Sequence, residues 1–137
     1  MNKLFIGIGL VVVMQFIPYG TNHANPEIVQ EPNWDSIKTK ELFNKACADC
    51  HSNETKYPWY ANIAPVSWLI QHDIDEGREH FNVSMWNQQS KNKGEDAAEE
   101  LEDGEMPMGI YALMHKEAVL TAQEKEDLIK GLKATFN

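Results

Sequence analysis

Cys47-Ala48-Asp49-Cys50-His51 decides how this chain is read. Two thiols three positions apart on a helical turn reach two vinyl groups of one porphyrin, and the histidine that follows is then held beneath the iron. The spacing is the signature of c-type haem attachment. Three other readings compete for these residues. A thioredoxin-type redox pair wants a βαβ context, and no strand pattern of useful length surrounds the motif. Zinc would need Cys47, Cys50 and His51 on one tetrahedral ion, which adjacent Cys50 and His51 rarely reach together, and no second ligand pair stands at a matching spacing. Chance is a poor account in a chain with 2 cysteines and 5 histidines. A disulfide across so short a loop would stabilise little.

Outward from the motif the periodicity is helical. Ile37, Leu42, Phe43 and Ala46 give an apolar face, with Asp35 or Ser36 able to cap, so a helix over 37–47 runs into the motif. A second helix is expected over Val66 to Glu76, with Gly77 ending or interrupting it. Further helices are expected over Glu95 to Glu102, whose acidic run is read as a solvated face, and over Tyr111 to Ala118. Thr121-Ala122-Gln123-Glu124 matches a capping box. It opens a last helix carrying Leu128, Ile129, Leu132 and Phe136. The expected fold is all-α, with about four or five short helices.

The chain has 137 residues, enough for one domain, and 42% hydrophobic residues, enough for a packed core. Its 12 Lys+Arg against 21 Asp+Glu leave a net charge of -9. That balance argues against nucleic acid, whose phosphates require clustered basic side chains, and against a polybasic membrane binder. The first residues are a separate object. Lys3 precedes an apolar run from Leu4 to Ile17 broken only by Gln15. Fourteen helical residues reach roughly 21 Å, short of a span of about 30 Å. Residues 1–24 are therefore read as an export signal or a retained N-terminal membrane anchor. Ala24 is a possible last leader residue, although Asn22 stands where a small residue is wanted. Residues 25–33 are read as a linker stiffened by Pro26 and Pro32, and 34–137 as the haem-binding domain. Either reading of the leader places that domain outside the cytoplasmic membrane, in the periplasm or tethered to the membrane's outer face through residues 4–17.

His51 is the expected proximal iron ligand, with Cys47 and Cys50 as thioether attachment points. Met106, before Pro107 in a glycine-flanked loop, is the expected distal ligand, because a thioether opposite histidine is a known cytochrome c arrangement. Met108 is its close competitor. His72 and His80 are the rival set; on one continuous helix they lie about 80° apart. Carboxylate or propionate pairing is the plainer role for both. His115 is read as a surface residue and His23 as a linker residue. Trp59, Tyr60, Trp68 and Trp86 are candidates to wall the porphyrin. Arg78 and Lys56 are candidates to pair with its propionates, with surface solvation as the alternative.

Several runs resemble the small c-type haem-binding domain family of exported bacterial proteins. They are Cys-Ala-Asp-Cys-His-Ser-Asn-Glu-Thr-Lys-Tyr-Pro-Trp-Tyr (47–60), Asn-Ile-Ala-Pro-Val-Ser-Trp-Leu-Ile (62–70), Gly-Arg-Glu-His-Phe-Asn (77–82) and Gly-Glu-Met-Pro (104–107). The resemblance implies one covalent haem on Cys47 and Cys50 with His51 as proximal ligand, and an export segment often kept as an anchor. A more distant similarity is to single-haem class I cytochromes c. Those have a helix entering the motif, a later methionine loop and a C-terminal helix packed on the first. Helix 37–47, Met106 and helix 122–135 fall in that order, and the similarity implies a cytochrome c-like bundle of about four or five short helices around one covalent haem.

The expected function is electron transfer by a c-type cytochrome outside the cytoplasmic membrane, with a redox partner protein that the acidic surface suits if that partner is basic-faced. The alternative is a haem-based sensor or small haem enzyme with an open or displaceable distal site. A thiol–disulfide module is the reading without haem. No catalytic group is read from the sequence.

Overall fold

A computed structural model describes residues 2–90 and 92–136. After α1 (Asn2–Met14) come α2 (Ile37–Ala46), α3 (Ala48–His51), α4 (Val66–His80), α5 (Ala97–Asp103), α6 (Gly109–Met114) and α7 (Ala122–Phe136), with short 3-10 turns between some of them. The described residues contain no strand, only an isolated bridge between Gln30 and Met85, so the fold is all-α as expected. Six helices follow the leader rather than four or five. Cys47 leaves helical geometry (φ -126°) and separates the one-turn α3 from α2.

Local chemistry explains the outer helices. Ser36 caps α2 by accepting from the Thr39 amide at 3.1 Å. The capping box of α7 closes reciprocally: Thr121 Oγ1 accepts from the Glu124 amide at 3.2 Å, and Glu124 accepts from the Thr121 amide at 2.8 Å. The buried faces of these helices, Leu42 and Phe43 on α2 and Leu128 and Leu132 on α7, share one core with Phe81, Val83, Ala98 and Leu101. Gly131 allows a close crossing, since a Cβ there would fall 2.0 Å from Thr39 Oγ1. Lys45 spans the same pair of helices to Glu124 at 2.7 Å.

Gly77 neither ends nor interrupts its helix. α4 continues to His80, and a Cβ at Gly77 would lie 2.6 Å from the Cys50 carbonyl oxygen. The glycine is required by the approach of α4 to the motif turn. Residues 25–33, expected as a linker, are hydrogen-bonded along the domain. Asn25 donates to Thr55 O at 2.9 Å, Asn53 donates to Glu27 O at 2.9 Å, and the Val29 amide donates to Ser84 O at 2.9 Å. Among the described residues no helix is long and apolar enough to cross a membrane.

Two outcomes follow from this packing. Gly77→Ala should lower stability by about 1–3 kcal/mol through overpacking, despite the better helix propensity of alanine. Gly109→Ala, with nothing within 4 Å of its Cβ, should cost nothing; equal urea midpoints for the two would refute the close-approach account. Second, the hydrogen bond from Lys45, followed by that from the Thr121 amide, holds the Glu124 carboxyl at about 2 instead of 4.5. The folded value lies below the unfolded one. The stabilisation is therefore complete above about pH 4.5 and is lost as the pH falls toward 2. Glu124→Gln should flatten that part of an acid-unfolding curve.

Candidate functional site

The motif turn opens onto a cavity of about 350 Å³. Cys47, Cys50 and His51 line it from α2 and α3, Gly77 and His80 from α4, Leu101 from α5, and Leu132 from α7. Met106, Pro107, Met108 and Tyr111 close it from the loop and helix between α5 and α7. The two thiols, the imidazole and both candidate methionines thus face one space, although more than fifty residues separate them in sequence.

His51 is 8% exposed and fixed from two sides. Its carbonyl accepts from the Val83 amide at 2.9 Å, and its Nδ1 lies 3.2 Å from the Phe81 carbonyl oxygen. A carbonyl only accepts, so Nδ1 carries the proton and Nε2 keeps its lone pair. Phe81 stacks on the ring at 4.2 Å. Burial pushes the His51 pKa down, against the hydrogen bonds that raise it, which favours the neutral ring a metal needs. The Phe81–Ser84 segment is locked in turn. Asn82 donates to Asn53 Oδ1 at 2.7 Å, Ser84 Oγ accepts from the Asn53 amide at 2.9 Å, and Asn82 Oδ1 accepts from the Ser84 amide at 2.9 Å.

Burial, with Cys50 beside it, pushes the Cys47 thiol up to about 12; burial and the Asp49 and Asp73 carboxylates do the same for Cys50. Both are free and protonated at neutral pH. A reactive dithiol pair requires a lowered pKa, so the thiol–disulfide reading is disfavoured. No group of three or more His, Cys, Asp or Glu side chains is arranged to hold a metal ion among the described residues, which leaves zinc without a ligand shell. An apolar cavity with two protonated thiols and one neutral imidazole fits a porphyrin carrying its own four nitrogen ligands.

Met106, Met108 and His80 share the cavity with His51; His72 does not. His72 lies on the exposed side of α4, with Nε2 3.6 Å from Glu76. His80 is exposed, and its Nδ1 turns back to the Glu76 carbonyl at 3.0 Å. The Met106 amide donates to Glu100 O at 3.1 Å, just past the left-handed Gly104 that ends α5. None of the aromatic residues expected to wall the porphyrin lines the cavity. Trp59 is 77% exposed, and Trp86 stacks on Phe136. Phe43, Phe81 and Tyr111 take that place. Arg78 is a staple of the backbone: it donates to Ser52 O at 2.9 Å and to Asn25 Oδ1 and Thr55 Oγ1 at 3.0 Å. Lys56 is exposed and outside the cavity, whereas Lys93 lines it.

Sequence reasoning missed Asp49 and Tyr111. The Tyr111 hydroxyl donates to Asp49 Oδ2 at 2.7 Å, tying the methionine segment to the motif turn. Burial, reinforced by that carboxylate, raises the Tyr111 pKa and keeps the phenol a donor. His115 is half-buried here instead of lying on the surface. It stacks on Tyr111 at 4.4 Å and meets the Tyr60 hydroxyl at 3.0 Å. His23 stacks on Tyr57 at 4.4 Å, outside the cavity. Tyr111→Phe should cost about 1.5–3 kcal/mol, because a carboxylate loses its donor. Unchanged thermal unfolding would show the bond to be replaceable by water.

No curated protein and no solved structure matches the chain. The family model described as a haem-binding domain matches residues 9–134, nearly the whole chain. With a buried histidine facing an apolar cavity and that match covering it, the chain belongs to the haem-binding domain family.

Proposed function

We propose that this haem-binding protein is a c-type cytochrome carrying electrons outside the cytoplasmic membrane, with one haem held covalently. The observation that supports it best is the convergence of Cys47, Cys50, His51 and Met106 on one cavity. Cys47 and Cys50 would hold the haem through thioethers, each formed by addition of the thiol S–H across a vinyl group with no net oxidation. His51 would offer Nε2 to the iron while its Nδ1–H donates to the Phe81 carbonyl oxygen. Met106 would supply the second ligand through its thioether, with Met108 and His80, which line the same cavity, as the alternatives. Phe43, Leu101 and Leu132 exclude water, and Lys93 stands as the partner for a propionate. Haem bound there supplies a one-electron ferric/ferrous couple. A methionine ligand would favour the ferrous side.

The partner proposed is a basic-faced redox protein. Ile110, Leu113 and Met114 are exposed on α6, next to the cavity residues Met108 and Tyr111, and the acidic Glu105 and Glu117 flank them. An apolar patch with an acidic border suits such a partner.

A second reading, a gas sensor or small haem enzyme, draws on the Tyr111–Asp49 pair inside the cavity, a polar device beyond the needs of electron transfer. The visible spectrum of the ferrous protein, with and without carbon monoxide, separates the two. A low-spin spectrum that carbon monoxide leaves unchanged supports the carrier; a clear shift moves the assignment to the sensor. Met106→Ala should open the site to carbon monoxide and Met108→Ala should not. The reverse result would transfer the ligand to Met108. Cys47→Ser with Cys50→Ser should leave haem extractable from the denatured chain, and haem that stays bound would sink covalent attachment.

A further inference from the structure

The charges of this acidic chain are absent from two long stretches. Residues 4–26 and 57–71 contain none of its 21 Asp+Glu and none of its 12 Lys+Arg. The structure packs these two stretches against each other. Gln15 Nε2 donates to Ala64 O at 2.9 Å, and the Ala64 amide donates to Gln15 Oε1 at 3.0 Å. A Cβ on Gly20 would fall 2.2 Å from Ser67 O, so this crossing demands glycine, which also supplies the positive φ of 76°. His23 stacks on Tyr57 and contacts the Ala61 carbonyl. The base of α1 is thereby clamped to the head of α4, and the two stretches form one pole without charges of its own, with Asp75 at its edge accepting from the Tyr19 hydroxyl at 3.3 Å.

That pole is apolar and unpartnered. Val66 and Leu69, three apart on α4, are exposed on one side of it, and Trp59 and Ile63 are exposed in the segment just before it. Phe16, 82% exposed, Ile17 and Tyr19 stand on the segment leaving α1. α1 itself exposes Leu4 to Val13 on all sides, glycines aside. Tryptophan and tyrosine beside an apolar helix are the composition of a membrane interface. None of these residues lines the haem cavity.

We propose that the pole formed by residues 15–20 and 57–71 lies on the lipid bilayer, with Trp59 in the interfacial zone. The domain would then have a fixed orientation instead of swinging on a linker. Charge favours this face: a chain of net charge -9 approaches an anionic bilayer with least repulsion through its uncharged side. Continuity with α1 supplies the rest, because the clamp at Gln15 and Ala64 brings the exposed face of α4 to the level at which the apolar helix ends. The proposal rests on the tethered reading of the leader.

The test uses the full-length haem-loaded chain and vesicles of phosphatidylethanolamine and phosphatidylglycerol carrying a photoactivatable acyl chain. Lipid adducts are expected in the peptide containing residues 57–71 as well as in residues 4–17. Trp59→Ser with Leu69→Ser should abolish the adducts on 57–71 and weaken vesicle partition roughly tenfold, with the haem spectrum unchanged. Adducts confined to residues 4–17, with the chain intact and bound, would overturn the pole alone. Recovery of the chain from cells without residues 1–24, read by mass, would overturn the tether and the proposal with it. Cross-links joining 57–71 of two copies without lipid adducts would assign the face to self-association and overturn the proposal.

Discussion

The hydrogen bond from His51 Nδ1 to the Phe81 carbonyl is the constraint on which the rest of the site depends. It decides the tautomer, and the tautomer decides which nitrogen keeps a lone pair for a metal. A single bond of this kind holds only if its acceptor is immobile. The protein fixes residues 81–84 with buried asparagine and serine side chains, and the same segment returns an amide to the His51 carbonyl. The extended residues 25–30 lie along the other side of that segment, and Arg78 fastens them to Ser52 and Thr55. Buried polar groups left unsatisfied are costly, so a saturated network of this type specifies one arrangement.

The legible parts of the fold were those set by neighbours in sequence. The Ser36 cap, the capping box at Thr121 and the apolar stripe of α7 need only a few residues each. The motif needs five. What escaped was decided across the fold. Gly77 carries a helix-breaker's signal, yet it sits mid-helix because Cys50 passes against it. Residues 25–33 have no period, since an extended segment held by side chains such as Asn53 leaves none. Tryptophan is no guide to the cavity wall: of the four, Trp59 faces solvent and Trp86 covers Phe136. Tyr111 and Asp49 are sixty-two residues apart, and nothing local announces their bond.

The placement of candidate ligands follows from the same geometry. An unbroken α4 carries His72 to solvent and His80 to the cavity rim, so their eight-residue spacing separates their roles. Met106 and Met108 stay together because Gly104 turns the chain out of α5 in a left-handed conformation and the Glu100 carbonyl accepts from the next two amides. The loop is thus held at its start by α5 and at its far end by Tyr111 on Asp49. A thioether from this loop, as proposed for Met106, would benefit from such a frame, since an ordered loop loses less entropy on ligation.

Charge divides the molecule along the same lines. Acidic side chains collect around the cavity, where Asp73, Glu76, Asp96 and Glu100 accompany Lys93. Residues 15–20 and 57–71 carry no charge. Solubility alone does not require this division, because charges scattered evenly would serve it as well. Such a division suits the placement proposed above, with a basic-faced partner near the cavity and the bilayer at the other pole. The clamp between Gln15 and Ala64 makes the division structural, because it ties the apolar helix to the uncharged side.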